Sequence, residues 1–306
     1  MQQRKALDLQ ASGLMILLCM IWGIQQVVIK LAAVDITPMM QIALRSGIAA
    51  ILVYPLIPKG TALFKPHYLL PGLWLGLLFS AEFLLVAQAL SLTSAAHTVV
   101  LLYTAPIFVA LGLHWKLPAE KLSPVQWGGI LLAFSGIVIS FLGREGQGLS
   151  KEVLLGDAMA LLAGIMWAMT TISLRLSRLG DAAPTQTLFY QLLGGFIFLL
   201  PIAYIFGQTH VSWTNTAIFS MLFHVLVMSF FSLMLWFWLL RHYLANGLGV
   251  FSFLTPVFGM VFGIVFLNET VEFNFILGTI LVMLGVLLVS SAHWLLEKYH
   301  KKTLKI

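Results

Sequence analysis

Apolar runs close to about 20 residues long recur along the whole 306-residue chain, separated by short polar connections. A helix of about 20 apolar residues crosses the hydrocarbon core of a bilayer. The candidate spans are 13–33, 38–57, 68–90, 95–115, 124–143, 155–175, 187–206, 217–240, 247–267 and 274–294. Composition agrees with them. Hydrophobic residues make up 60% of the chain and charged residues only 9%, where soluble domains carry about a quarter. The mean hydropathy is +0.98. Ten spans use so much of the length that no soluble catalytic domain fits between them. The lone Cys19 forms no intrachain disulfide. Nine tryptophans suit interfacial belts and pore linings.

Local signals punctuate the runs where helices should begin. Pro38, Pro66, Pro124 and Pro184 each sit at an expected helix start, where a fixed φ and a missing N–H cost nothing. The polar stretch Arg144 to Glu152 forms the natural midpoint. The run 13–33 is too long for a signal-peptide core and reads as a retained first span. Basic residues then set the orientation. Thirteen lysines and arginines fall on the termini and even-numbered connections, and only Arg144 and Lys151 on the odd-numbered ones. Both termini should therefore face the cytoplasm. The net charge of +6 is thus a topology signal and not a nucleic-acid footprint, although the run Lys298–Lys305 is placed to touch lipid headgroups.

The chain also repeats itself. Ser12 to Lys30 matches Asp157 to Arg175, with Trp22 falling on Trp167. Tyr103 to Pro106 matches Phe253 to Pro256, and Gly129 and Gly136 fall on Gly278 and Gly285. Each half holds five spans. An odd number forces the two copies to lie upside down relative to each other, an arrangement that in transporters places the substrate site near the midplane between repeats. The expectation is an all-α membrane protein of ten transmembrane helices in two five-helix inverted repeats, 10–143 and 155–293. A basic cytoplasmic tail, 294–306, follows.

Trp22-Gly23, Arg45, Pro106, Glu120 and the span-five glycines, followed by Trp167, Pro256, Glu269 and the span-ten glycines, resemble the EamA-like family of the drug/metabolite transporter superfamily. The likeness runs across nearly all of residues 10–293. It implies a carrier in the bacterial inner membrane, often an exporter of amino acids or related metabolites. Two positions depart from a strict repeat: Ala168 follows Trp167 in place of a second glycine, and Tyr190 stands where a second Arg45 would fall.

Few side chains can carry chemistry. Glu82 lies inside span three, where a carboxylate normally faces a cavity or a partner. Counted from the span ends, Glu82, Arg45 and Tyr103 share a depth of about 10–12 Å, so an Arg45–Glu82 ion pair is within reach. The pair reads either as a substrate- or proton-binding group or as a salt bridge that fixes helix packing. Trp22, Gln26 and Lys30 share one helix face, as do Trp167, Thr171 and Arg175. The first two of each trio suit a wall that stacks on and hydrogen-bonds a polar solute; Lys30 and Arg175 suit snorkelling to the interface. Pro106 and Pro256 interrupt spans four and nine as hinge or cavity residues. Glu120 and Glu269 suit capping or loop anchoring, and His97 an interfacial histidine. No phosphate-binding glycine loop and no metal-ligand cluster is evident, so no cofactor and no metal is expected. The reading is a non-enzymatic secondary carrier for a small organic solute, with protons the candidate coupling ion, surrounded by membrane lipid, as monomer or homodimer. Two other classes compete, a membrane-embedded enzyme on lipid-linked substrates and a passive channel. Short, chemically bare loops disfavour the first, and the lack of repeated filter residues the second.

Overall fold

A computed structural model describes residues 8–61, 63, 65–116, 121–141, 150–243, 252 and 254–303. Among them the architecture is helical, with an isolated antiparallel bridge between Ile36 and Val211. The helices are α1 (Leu9–Leu31), α2 (Pro38–Val53), α3 (Pro66–Leu92), α4 (Ala95–Leu102), α5 (Ala105–Lys116), α6 (Pro124–Phe141), α7 (Lys151–Leu176), α8 (Pro184–Ile205), α9 (Asn215–Leu222), α10 (Leu233–His242), α11 (Leu254–Leu267) and α12 (Phe273–Thr303). A π-helical stretch, Phe223–Ser232, joins α9 to α10. Seven continuous helical stretches among the described residues are long and apolar enough to cross a membrane, and three shorter apolar helices accompany them.

Helix starts follow the local chemistry. Proline opens α2, α3, α6 and α8, the four boundaries read from sequence. Elsewhere a side chain accepts an otherwise unpaired N–H of the first turn. Asp8 Oδ1 accepts from Ala11 N at 2.8 Å, Ser94 Oγ from His97 N at 3.0 Å, and Thr214 Oγ1 from Ala217 N at 3.1 Å. Two stretches differ from a plain span. The expected helix 95–115 breaks at Tyr103–Thr104, with Pro106 in the first turn of α5. Proline cannot donate to the preceding turn, so the chain restarts there. The expected helix 217–240 contains the π-helical stretch. Pro256 lies in the first turn of α11; most of the expected start of that span, 247–251 and 253, lies outside the described residues, as does Glu120. The backbone of the expected tail continues α12 to Thr303, while its side chains lie outside the description.

Packing relies on small residues, as expected where lipid removes the hydrophobic drive between helices. α6 packs along α12, α2 along α8, α3 along α7 and α8, and α1 along α11. A Cβ added to Gly136 would meet Gly278 O at 2.6 Å, and one added to Gly285 would meet Gly129 O at 2.4 Å. Gly194 lies against the Gly76 backbone in the same way. Large apolar side chains such as Ile51, Leu131, Phe219 and Val265 point outward, which suits a lipid-facing surface.

The ends of the helices are tied together. At one end the connections after α1 and α8 meet: Thr37 Oγ1 donates to Gln208 O at 2.7 Å, and Thr214 Oγ1 to Asp35 Oδ2 at 2.7 Å. At the opposite end the Tyr243 hydroxyl, just past α10, donates to Asp8 Oδ2 at 2.9 Å.

Candidate functional site

The helix faces of α1, α2, α3 and the π-helical stretch turn polar groups into the interior. Arg45 is 3% exposed and Glu82 is 7% exposed. The Arg45 guanidinium carbon lies 4.7 Å from the centre of the Phe83 ring, a cation–π contact in a desolvated setting. Its Nη1 is buried and has no hydrogen-bond partner. Arg45 and Glu82 act on each other electrostatically, yet no N···O contact within 4.0 Å joins them. The ion pair within reach from depth alone is therefore not closed. Stacking on Phe83, one residue along α3 from Glu82, holds the guanidinium over the ring.

Gln26, 2% exposed, lies on α1 with its Oε1 buried and unpartnered. Tyr103 ends α4 at the helix break, within the field of Glu82. Its ring meets Trp167 edge-on at 5.1 Å, so these two expected wall residues touch across the halves. Trp22 is occupied differently. Its Nε1 donates to Ser232 Oγ at 3.2 Å, and its ring meets Trp236 edge-on at 5.6 Å. Thr171 Oγ1 donates to Trp167 O on its own helix at 3.1 Å, the usual local bond of a helical threonine. Pro106 follows the Tyr103–Thr104 break by two residues, and Pro256 opens α11, which packs on α1 and α4. Tyr190, at the place of a second Arg45, packs against Gly72 and donates its hydroxyl to Leu63 O at 2.5 Å. The interior site thus carries its arginine on one half only.

Two buried groups did not stand out in the sequence. His224 is 1% exposed and lies within the field of Arg45. Its Nδ1 lies 2.7 Å from Ser220 O, and Ser220 Oγ donates to Gln41 Oε1 at 2.9 Å. An ionisable group inside an apolar run is the signal that marks it. Asp157 was noted only as the start of a repeat. It is 1% exposed, accepts from Thr93 Oγ1 at 2.6 Å, and meets His97 Nδ1 at 3.1 Å.

Asp157 belongs to a second polar cluster at the end of the bundle where α1, α3, α7 and α11 finish or begin. His97 is buried at this end of the bundle: Nε2 lies 3.4 Å from Glu272 Oε2, and the ring stacks on Phe275 at 3.8 Å. Lys30 does not simply snorkel. Its Nζ donates to Thr93 O at 2.5 Å and lies 3.3 Å from Glu269 Oε1. Glu269 caps α4, accepting from Ala95 N at 2.7 Å and Ala96 N at 3.0 Å. A cavity of about 540 Å³ is lined by Lys30, Thr93, His97, Asn268, Glu269 and Glu272, among others. No group of three or more histidine, cysteine, aspartate or glutamate side chains among the described residues is arranged to hold a metal.

Comparison with known proteins identifies the family and the fold. The family model described as the EamA-like transporter family matches twice, over residues 10–142 and 154–291. An uncharacterized transporter of Bacillus subtilis (strain 168), YoaV, is 27% identical over 275 residues, covering 87% of this chain and 92% of its own. An uncharacterized transporter of Archaeoglobus fulgidus is 28% identical over 216 residues, covering 70% and 72%. A solved structure described only as the crystal structure of a protein superposes with a TM-score of 0.66 at 18% identity. It covers 94% of this chain and 99% of that one, a likeness of fold.

Proposed function

Because the chain belongs to the EamA-like transporter family and is a multi-pass membrane transporter, we propose that it is a secondary carrier of ten spans in two inverted five-helix repeats. It exports small organic metabolites, amino acids or related solutes, by alternating access with protons as the coupling ion. It works in a bacterial inner membrane with both termini cytoplasmic, repeat one at 10–143, repeat two at 155–293 and a basic tail at 294–306. The pairing of helices supports the inverted repeat. Spans two and seven pack together, as do five and ten, and span one meets nine as six meets four. That pattern is its own image when the halves are exchanged. The ties at the ends agree with strict alternation, because the connections after spans one, three, seven and nine lie at one end.

The observation that carries the solute reading is two unpartnered interior atoms, Arg45 Nη1, in the field of Glu82, and Gln26 Oε1 on α1. A buried donor and a buried acceptor without partners each cost about 1–3 kcal/mol. A solute with a carboxylate for Arg45 and an amino or hydroxyl donor for Gln26 satisfies both. Tyr103, Trp167 and Trp22 supply aromatic walls, and Glu82 takes a proton or a cationic group of the solute. Inside-out vesicles given labelled amino acids, with and without a pH gradient, test this. Gradient-driven accumulation that Arg45→Ala abolishes, in a protein that still melts as the parent does, is the expected result. Equilibration indifferent to the gradient and to Arg45 rejects the reading in favour of a passive pore.

A further inference from the structure

Resting on the carrier reading, we propose that the Lys30–Glu269 and His97–Asp157 contacts form an ionic latch that closes one end of the solute path and must part once in each transport cycle. In the proposed topology this end faces the periplasm. The contacts join elements from both halves. Lys30 lies in the last turn of α1, and His97 in the first turn of α4; Asp157 lies in the second turn of α7, and Glu269 and Glu272 lie between α11 and α12. They are the ionisable groups that meet here among the described residues, and Asp157 and His97 are 1% and 3% exposed.

The bonding pattern shows where the latch divides. Both Glu269 oxygens hold backbone N–H groups of α4, and a Cβ on Gly263 would lie 2.5 Å from Glu269 Oε2. Gly259 of α11 likewise leaves room for Val99 of α4, whose Cγ1 an added Cβ would meet at 2.4 Å. α4 and α11 are thus one unit, with its cap built in. Lys30 adds a single 3.3 Å contact to that unit from α1, and Asp157 holds its other side from α7. Lys30 can leave without stripping the cap, because Glu269 keeps two charge-assisted hydrogen bonds from α4. Deeper along α1, Gly23 lies against Gly259 and Thr255 O and serves as the pivot. Gln26, one turn below Lys30, becomes reachable from that end when the latch parts.

A reporter cysteine tests this. In a Cys19→Ser background, Gln26→Cys is exposed to a membrane-impermeant maleimide in right-side-out and in inside-out vesicles. The parent should label slowly from the latch end. Lys30→Met leaves the α4 cap intact and should raise labelling from one membrane face only, by about fivefold, the scale of a modest conformational coupling. Glu269→Gln should also raise labelling from that face, although its amide keeps only one of the two α4 cap bonds. A melting measurement accompanies each variant, so that a general loosening is recognised. Unchanged labelling in Lys30→Met, or an equal rise from both faces, overturns the latch. Because labelling needs no transported solute, and flux is measured in the protein that retains Gln26, failure of the latch and failure of the carrier reading are separate results: absent flux with one-sided opening leaves the latch standing, and intact gradient-driven flux with unchanged labelling removes it alone.

Discussion

Replacing Glu82 by glutamine separates a transport role from a packing role. Glutamine keeps the length and hydrogen-bonding capacity of the side chain and removes its charge. Arg45 and Glu82 lie farther apart than 4.0 Å, so their attraction is worth at most about 4 kcal/mol at an effective dielectric near 20. Holding a carboxylate inside the membrane costs about 3 kcal/mol on insertion scales. Glu82→Gln loses the first contribution and most of the second, leaving a net stability change of about 1–2 kcal/mol. A closed buried ion pair behaves differently, since removing one partner costs about 3–5 kcal/mol. The expected outcome is near-parental melting in detergent with flux reduced at least about tenfold, equivalent to about 1.4 kcal/mol of barrier. A double Arg45→Gln, Glu82→Gln change should not restore flux. Severe loss of stability recovered by that double change would make the pair structural and refute the reasoning. Parental flux in Glu82→Gln alone would remove Glu82 from the mechanism.

Other consequences follow from close approaches and backbone geometry. In Gly285→Val the new Cβ meets Gly129 O at 2.4 Å and Ala133 N at 2.6 Å, so α6 and α12 must separate; a loss of about 1–3 kcal/mol is expected, and unchanged thermal unfolding contradicts it. Asn268 holds a left-handed φ of 52° just before Glu269. Asn268→Val should cost about 1–2 kcal/mol and weaken the α4 cap, whereas Asn268→Gly should melt at or above the parent temperature. Reporter fusions after residues 62, 119, 180 and 303 should read cytoplasmic, and a cytoplasmic signal from a fusion near Gly148 breaks the ten-span arrangement.

What the sequence revealed was whatever depends on one residue and its near neighbours. The helix starts at Pro38, Pro66, Pro124 and Pro184 were legible because proline acts through its own φ and missing N–H. The interior placement of Glu82 and Arg45 was legible because an apolar run buries whatever it contains. Their distance was not, since depth fixes height along the membrane normal and leaves azimuth free. The ring of Phe83 decided that coordinate. Lys30 and Glu269 illustrate the same limit: each stands near a span end, and only the fold brings the α11–α12 connection against the start of α4. The π-helical stretch Phe223–Ser232 gave no sequence signal of its own, because its apolar residues satisfy an ordinary helix equally well.

On the proposed carrier reading, the same contacts divide the helices into a fixed support and a moving part. α6 and α12 touch backbone to backbone at Gly136–Gly278 and Gly285–Gly129. A sliding motion there drives carbonyl oxygens into Cα atoms, so this pair acts as a fixed support. The interior face is built otherwise. α4 stops at Tyr103 before α5 restarts around Pro106, the π-helical stretch widens the span that holds His224, and Pro256 opens α11. Such breaks let a half-helix tilt without disturbing its other half. Two of them also border groups of the interior site, Tyr103 beside Trp167 and His224 in the field of Arg45, and α11 lies against Gly23. Tilting the α4–α11 unit about Gly23 therefore moves Tyr103 and the Lys30–Glu269 contact together. On the carrier reading, that shared lever couples occupation of the Arg45–Glu82 site to the opening of the end above it.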